Sequence, residues 1–205
     1  MQQIANKVLL FLLLVSQAFN TAYIKAQDGM LIELKFEPPH GFYDQEIQIS
    51  ITTDTQYSAI HYTLDGSEPA AIINESTLLY QAPIVINKTC CIRAAAILSD
   101  GSKSVTLTQT YIFLGDVIHQ DYQSTLSAGF PTKWGRFTPD YGMDPDIIND
   151  ARYRNLIKDA LVSLPSISIV MNVDDLFGSN GIYSNSEETG IDWERPGSVE
   201  LPGVM

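Results

Sequence analysis

The sequence predicts a mainly β protein: an immunoglobulin-like β-sandwich followed by an incomplete α+β segment. Three observations carry that prediction. Apolar and polar residues alternate at period two through the first half, as in Ile47, Ile49 and Ile51 against Gln48, Ser50 and Thr52. Turn signals interrupt the alternation at short intervals: Pro38-Pro39-His40-Gly41, Asp65-Gly66-Ser67 and Asp100-Gly101-Ser102. After Leu114-Gly115 the composition shifts, and one stretch of helical spacing replaces the alternation. Strands that bury one face and wet the other suit antiparallel sheets packed face to face.

In chain order, residues 1–26 read as a secretory signal peptide. Lys7 supplies its positive charge, and Val8 to Val15 is an unbroken apolar run of eight residues. A membrane span needs about 20 such residues, so this run is too short to cross. Ala18, Ala22 and Ala26 all offer cleavage points. No other stretch is long and apolar enough to span, so the expected product is secreted or held at the cell envelope, with no membrane span after signal removal. Removing the leader, which holds Lys7 and Lys25 and no acid, takes the formal charge from −12 to −14. Such a field repels nucleic-acid phosphates, and no basic stripe offsets it, so no nucleic acid is expected as a partner.

Residues 29–115 form the expected sandwich. Ile60, Tyr62 and Leu64 share one face against His61 and Thr63. Ile92, Ala94 and Ala96 share another, as do Val105, Leu107, Tyr111 and Phe113 opposite Thr106, Thr108 and Thr110. This amounts to about seven strands in roughly 85 residues, the arithmetic of an immunoglobulin-like fold. His61 and the threonines fall on the expected wet faces. Cys90 and Cys91 are neighbours in a strand, so they point to opposite faces and stay reduced. An exported chain without a disulfide framework must rely on its core. Asn74-Glu75-Ser76 and Asn87-Lys88-Thr89 match the N-glycosylation tripeptide, which has meaning only in a eukaryotic source.

Asp65, Gly66 and Ser67 read as a structural turn: the glycine supplies a positive φ, Ser67 can bond back to the turn amides, and Pro69 then stops ladder pairing. Asp65, Ser67 and Glu68 give only three oxygen donors, against the six to eight that calcium takes. The run Tyr62-Thr63-Leu64-Asp65-Gly66-Ser67-Glu68-Pro69 carries a resemblance, together with Pro39-His40-Gly41-Phe42-Tyr43 and Cys91-Ile92-Arg93-Ala94-Ala95-Ala96. Over residues 36–114 the chain resembles the chitobiase/β-hexosaminidase C-terminal type of β-sandwich, related to fibronectin type III-associated domains. The resemblance implies a spacer or accessory binding module, carbohydrate-associated and not itself a catalyst.

Residues 116–146 read as an irregular connector, broken by Pro131, Pro139 and Pro145 and packed by Phe130, Trp134, Phe137 and Tyr141. Residues 147–205 follow as an α+β piece. Tyr153, Leu156, Ile157, Ala160, Leu161 and Leu164 predict a helix, capped by Asn149 or Asp150 and ended by Pro165. Ile167, Ile169 and Met171 predict a strand, Asp174–Gly178 a turn or helical stub, and Ser198–Leu201 a further strand with almost nothing after it to pair with. Five short motifs in one order resemble the N-terminal approach to the kinase-like domain of the spore coat protein H (CotH) family: Asp140–Pro145, Pro165–Val170, Asp174–Gly178, Gly181–Tyr183 and Trp193–Pro196. Bacterial members of that family often place such a sandwich just ahead, which implies a bacterial source. The chain would then be a truncated fragment. For a full-length member the resemblance implies ATP and Mg; within 1–205 no glycine-rich nucleotide loop occurs, so no cofactor and no catalytic residue is expected in this chain.

Other chemistry finds little footing. Asp140, Asp144, Asp146 and Asp150 miss the calcium-loop spacing, and Asp146 or Asp150 is explained by capping the helix. Asp174, Asp175 and Glu194 show no pairing that would mark a glycosidase cleft. His40, His61 and His119 are far apart in sequence, so no metal site is expected. Trp134, Tyr141 and Trp193 are the aromatic residues expected to be partly exposed, and flat rings can stack on sugars. The leading expectation is therefore a secreted accessory or scaffold module attached to a CotH-like fragment, non-catalytic as this chain. The alternative is a cell-surface glycan-binding or adhesion module, with glycans or cell-surface proteins as partners.

Overall fold

The computed structural model describes residues 32–134 and 136–203. The expected signal peptide lies outside them. Eight strands build the sandwich: β1 (Lys35–Glu37), β2 (Gly41–Tyr43), β3 (Ile47–Thr52), β4 (Ala59–Thr63), β5 (Leu78–Leu79), β6 (Ile84–Ile86), β7 (Cys90–Ile97) and β8 (Leu107–Phe113). One sheet has the order β1-β3-β6 and the other β2-β8-β7-β4-β5. Every pairing is antiparallel except that of β2 with β8, which is parallel. The chain crosses from the first sheet to the second between β1 and β2, where the Glu37–Pro38 peptide bond is cis. Tyr111 and Tyr43 anchor that crossing by donating their hydroxyls to the carbonyl oxygens of Pro38 and Pro39, at 2.9 and 2.6 Å.

The period-two residues meet between the sheets as expected. Ile49, Ile51, Ile60, Ile92, Ala94, Ala96, Tyr111 and Phe113 form the core with Ile32, Leu34, Phe36, Ile84 and Ile86. A fully buried isoleucine such as Ile49 or Ile92 contributes on the order of 1.5–3 kcal/mol. Leu64 departs from the expected pattern: it lies beyond the end of β4 and is exposed.

Gln48, Ser50 and Thr52 face solvent along β3 as expected, but the polar faces of β4 and β8 are dry. His61 and Thr63 are buried because the 66–77 segment folds over them: Thr63 donates its hydroxyl to the Ser67 carbonyl, and the His61 Nδ1 lies 3.0 Å from the Ala70 carbonyl oxygen. Thr106, Thr108 and Thr110 are buried too.

What covers the last two of these is the second segment. It comprises α1 (Leu114–Ile118), α2 (Tyr122–Ser127), α3 (Pro145–Ile148), α4 (Ile157–Ser163), β9 (Ser168–Met171), α5 (Val173–Phe177), a 3₁₀ turn (Ile191–Trp193) and β10 (Gly197–Glu200). The expected irregular connector therefore holds two short helices. The second is closed by a capping box, in which the Asp121 carboxylate accepts from the Ser124 amide. The expected helix over 153–164 shrinks to α4. Asp150 does not cap it, because its carboxylate accepts from the Arg152 amide and pairs with the Arg152 guanidinium, closing a local turn instead. Asp144, rather than Asp146 or Asp150, caps a helix, and that helix is α3. β10 finds its partner upstream, running antiparallel to β9 with Ser198 opposite Val170 and Glu200 opposite Ser168.

Gly66 and Gly101 adopt φ values of +77° and +83°, where a Cβ is strained. A Cβ on Gly66 would also meet Val170 of β9 at 3.3 Å, whereas at Gly101 it would meet open space. Gly66→Ala is expected to lower the unfolding free energy by about 1–2 kcal/mol and to loosen β9, and Gly101→Ala by about 1 kcal/mol with β9 untouched. Urea denaturation of the two variants, with amide exchange read at β9, checks the difference.

Candidate functional site

The most developed polar arrangement lies where the β9–β10 ribbon sits on the outer face of the five-stranded sheet. Side chains on that face come from β7 and β8, and along β8 they form a row of hydroxyls. Thr108 Oγ1 lies 2.7 Å from Ser198 Oγ, and Thr110 Oγ1 lies 2.7 Å from Ser168 Oγ. Thr110 also donates its hydroxyl to one oxygen of Glu200 at 2.5 Å and its amide to the other at 3.3 Å. His40 Nδ1 reaches that second oxygen at 2.9 Å from the β1–β2 crossing. The Glu200 side chain is only 8% exposed, so these donors replace the water that a carboxylate would otherwise keep. Nearby, Lys158 of α4 pairs with Asp44 at 2.8 Å.

The Asp65-Gly66-Ser67 turn forms as expected, with one difference in its hydrogen bonds. Ser67 does not reach a turn amide with its side chain; it donates its amide and hydroxyl to the Asp65 carboxylate, at 2.9 and 2.5 Å. Asp100 and Ser102 repeat the arrangement at 2.9 and 2.6 Å. Beside the first turn, Arg93 pairs with Glu68 at 2.5 Å, and Lys103 and Thr106 both donate to its other oxygen. Burial pushes the Glu68 carboxyl up, but the bonds from Lys103 and Thr106 and the Arg93 charge outweigh it and hold the carboxyl below its usual range. With two cations already matching its charge, Glu68 serves the fold rather than a bound metal.

The aromatic candidates separate. Tyr141 is buried, contrary to expectation, because its ring is enclosed by Tyr122, Phe130 and Trp134 at 5.6–5.9 Å between centroids. Its hydroxyl accepts from Trp134 Nε1 at 2.9 Å and donates to the Pro131 carbonyl at 2.7 Å. Trp134 is stacked on Phe177 at 5.0 Å and meets Tyr183 edge-on. These rings cluster around Tyr141, the buried one among them, while Phe137, expected to pack there, is 55% exposed. Trp193 stands apart on the 3₁₀ turn, half-buried, and lines an open groove with Tyr183.

The remaining candidates are dispersed. Asp140 accepts from the Gly142 amide, Asp174 and Asp175 lie in the first turn of α5, and Glu194 follows the 3₁₀ turn. His119 contacts the Gly115 carbonyl within its own turn. Burial pushes the Cys90 thiol up to about 11 and the Cys91 thiol up to about 12, so neither is a ready nucleophile. Among the described residues no group of three or more His, Cys, Asp or Glu side chains is placed to hold a metal ion.

Sequence reasoning missed the ribbon interface altogether. A signal was available: Cys91, Arg93 and Ala95 of β7 and Thr108 and Thr110 of β8, with Thr106 just ahead of β8, hold a single charge among six residues. Faces that meet water usually hold more.

Two outcomes test these assignments. Glu200→Ala is expected to lower stability by about 1.5–3 kcal/mol and to expose the 165–203 segment to protease while the sandwich stays intact. Denaturation and limited proteolysis read this. Glu68, with a depressed folded pKa, stabilises above the ordinary carboxylate range and loses that contribution as pH falls through its folded value. The stability gap between wild type and Glu68→Gln is therefore expected at pH 7 and should close on acidification below about pH 4.

Residues 49–111, from within β3 to within β8, match the sequence model of a family described as Fn3 associated. No curated protein and no solved structure matches the chain. Over those residues the β-sandwich is similar to fibronectin type III-associated, chitobiase-type accessory domains.

Proposed function

We propose that this chain is an exported accessory module that mounts the leading part of a CotH-like domain on a β-sandwich, and that it positions rather than catalyses. One observation carries the reading, the inverted polarity of the β9–β10 ribbon. Its hydroxyl and carboxylate face is turned inward onto the sandwich. Its apolar face is turned outward, with Ile167 and Ile169 64% and 63% exposed and Val199 and Leu201 close behind. A two-stranded ribbon is marginal alone, and contiguous apolar surface of this kind belongs under a further layer. That is the condition expected of the first strands of a larger sheet, already fixed in place by the accessory domain.

The match of residues 49–111 to fibronectin type III-associated domains supports the accessory half of the reading. The short apolar leader supports export, and the five ordered motifs between Asp140 and Pro196 support the CotH half. Phosphoryl transfer needs a nucleotide cradle, a phosphate-contacting lysine and acidic metal ligands, and the sequence of this chain offers no glycine-rich nucleotide loop.

Assayed with labelled Mg-ATP and a general phosphoacceptor, the purified chain is expected to transfer no phosphate. Transfer is expected only from the polypeptide encoded when the reading frame is followed past Met205. Activity in the chain by itself, or an in-frame stop directly after Met205, overturns the reading.

A further inference from the structure

We propose that the groove between α5 and the 191–193 turn binds the ring of a neutral saccharide, with Trp193 as its stacking platform. The groove has a volume of about 360 Å³, within the range of about 300–1,000 Å³ that small ligands occupy. Leu176, Tyr183 and Trp193 supply its apolar surface, and Asn185, Ser186 and Glu188 its polar one.

The walls are braced before any ligand arrives. Tyr183 is held edge-on by Trp134 and Phe177, at 5.3 and 5.5 Å. Asn185 donates its side-chain amide to the carbonyls of Ser179 and Gly181, both at 2.9 Å, which leaves its Oδ1 as an acceptor. Arg195 straps the two loops together, donating to the Asp192 carbonyl at 2.9 Å and to the Asn180 carbonyl at 2.6 Å. A site whose side chains are already fixed loses less entropy on binding.

Charge decides the ligand class. The Arg195 guanidinium, itself paired with Asp175 at 3.8 Å, lies 5.8 Å from the centre of the Trp193 ring, so that ring already has its cation–π partner and offers a second cation little. Glu188 lines the same groove and disfavours an anion. What remains is an uncharged molecule with an apolar face for the indole and hydroxyls for Asn185, Ser186 and Glu188. A pyranose ring has that form. Nothing here depends on the CotH reading, so the two proposals stand or fall separately.

The chain holds two tryptophans, Trp134 and Trp193, so intrinsic fluorescence reports on the groove. The purified chain is titrated with two neutral disaccharides, cellobiose and N,N′-diacetylchitobiose, and with choline as the cationic probe, each up to about 10 mM. A saturating response to at least one disaccharide and none to choline is expected. Trp193→Ala should weaken binding by about tenfold or more, while Trp193→Phe, which keeps a flat ring, recovers most of it. A response to choline alone, a disaccharide response unchanged in Trp193→Ala, or no response to either sugar overturns the proposal.

Discussion

Hydroxyl groups taken out of water must find partners, and that requirement organises this molecule. Thr108 and Thr110 project from the face of β8 that points away from the core, yet both are buried. Each buried hydroxyl without a partner would cost about 1–3 kcal/mol. The β9–β10 ribbon supplies partners in kind, with Ser168, Ser198 and Glu200 on its inner face. Hydrogen-bond matching thus ties the second segment to the sandwich. That choice leaves the ribbon's apolar side chains pointing outward.

The sandwich was legible because its core obeys a simple alternation. Ile49 and Ile51, Ile92 to Ala96, and Tyr111 and Phe113 all lie where period two puts them. The turns were legible for a related reason: Asp-Gly-Ser occurs twice and takes a positive φ at glycine both times. Alternation reports only that two faces differ, however, and not what lies over the second one. His61 and the threonines of β8 were read as wet because polar residues usually are, and tertiary packing overrode that expectation.

The second segment was harder to read for physical reasons. Tyr153 to Leu164 has helical spacing, but spacing lacks force when the apolar face has little to pack on: Tyr153, Leu156 and Leu164 remain exposed, and only seven residues stay helical. Local bonding decides the rest, as Asp150 turns toward Arg152 instead of toward a helix. Ring chemistry misled in a similar way. Tyr141 looks like a surface aromatic in a connector rich in proline and glycine, yet its hydroxyl accepts from Trp134 and its ring is buried, while Trp134 itself stays half-buried as expected.

The pairing of Ser198 with Val170 and of Glu200 with Ser168 has one more consequence. In a strand, a shift of a single residue turns every side chain to the opposite face. Sliding the ribbon by one position would drive Ile169 and Val199 against the threonine row and send the serines into solvent, stranding Thr108 and Thr110. The inter-domain bonds therefore act as an alignment key, admitting one registration of the ribbon and rejecting its nearest neighbours.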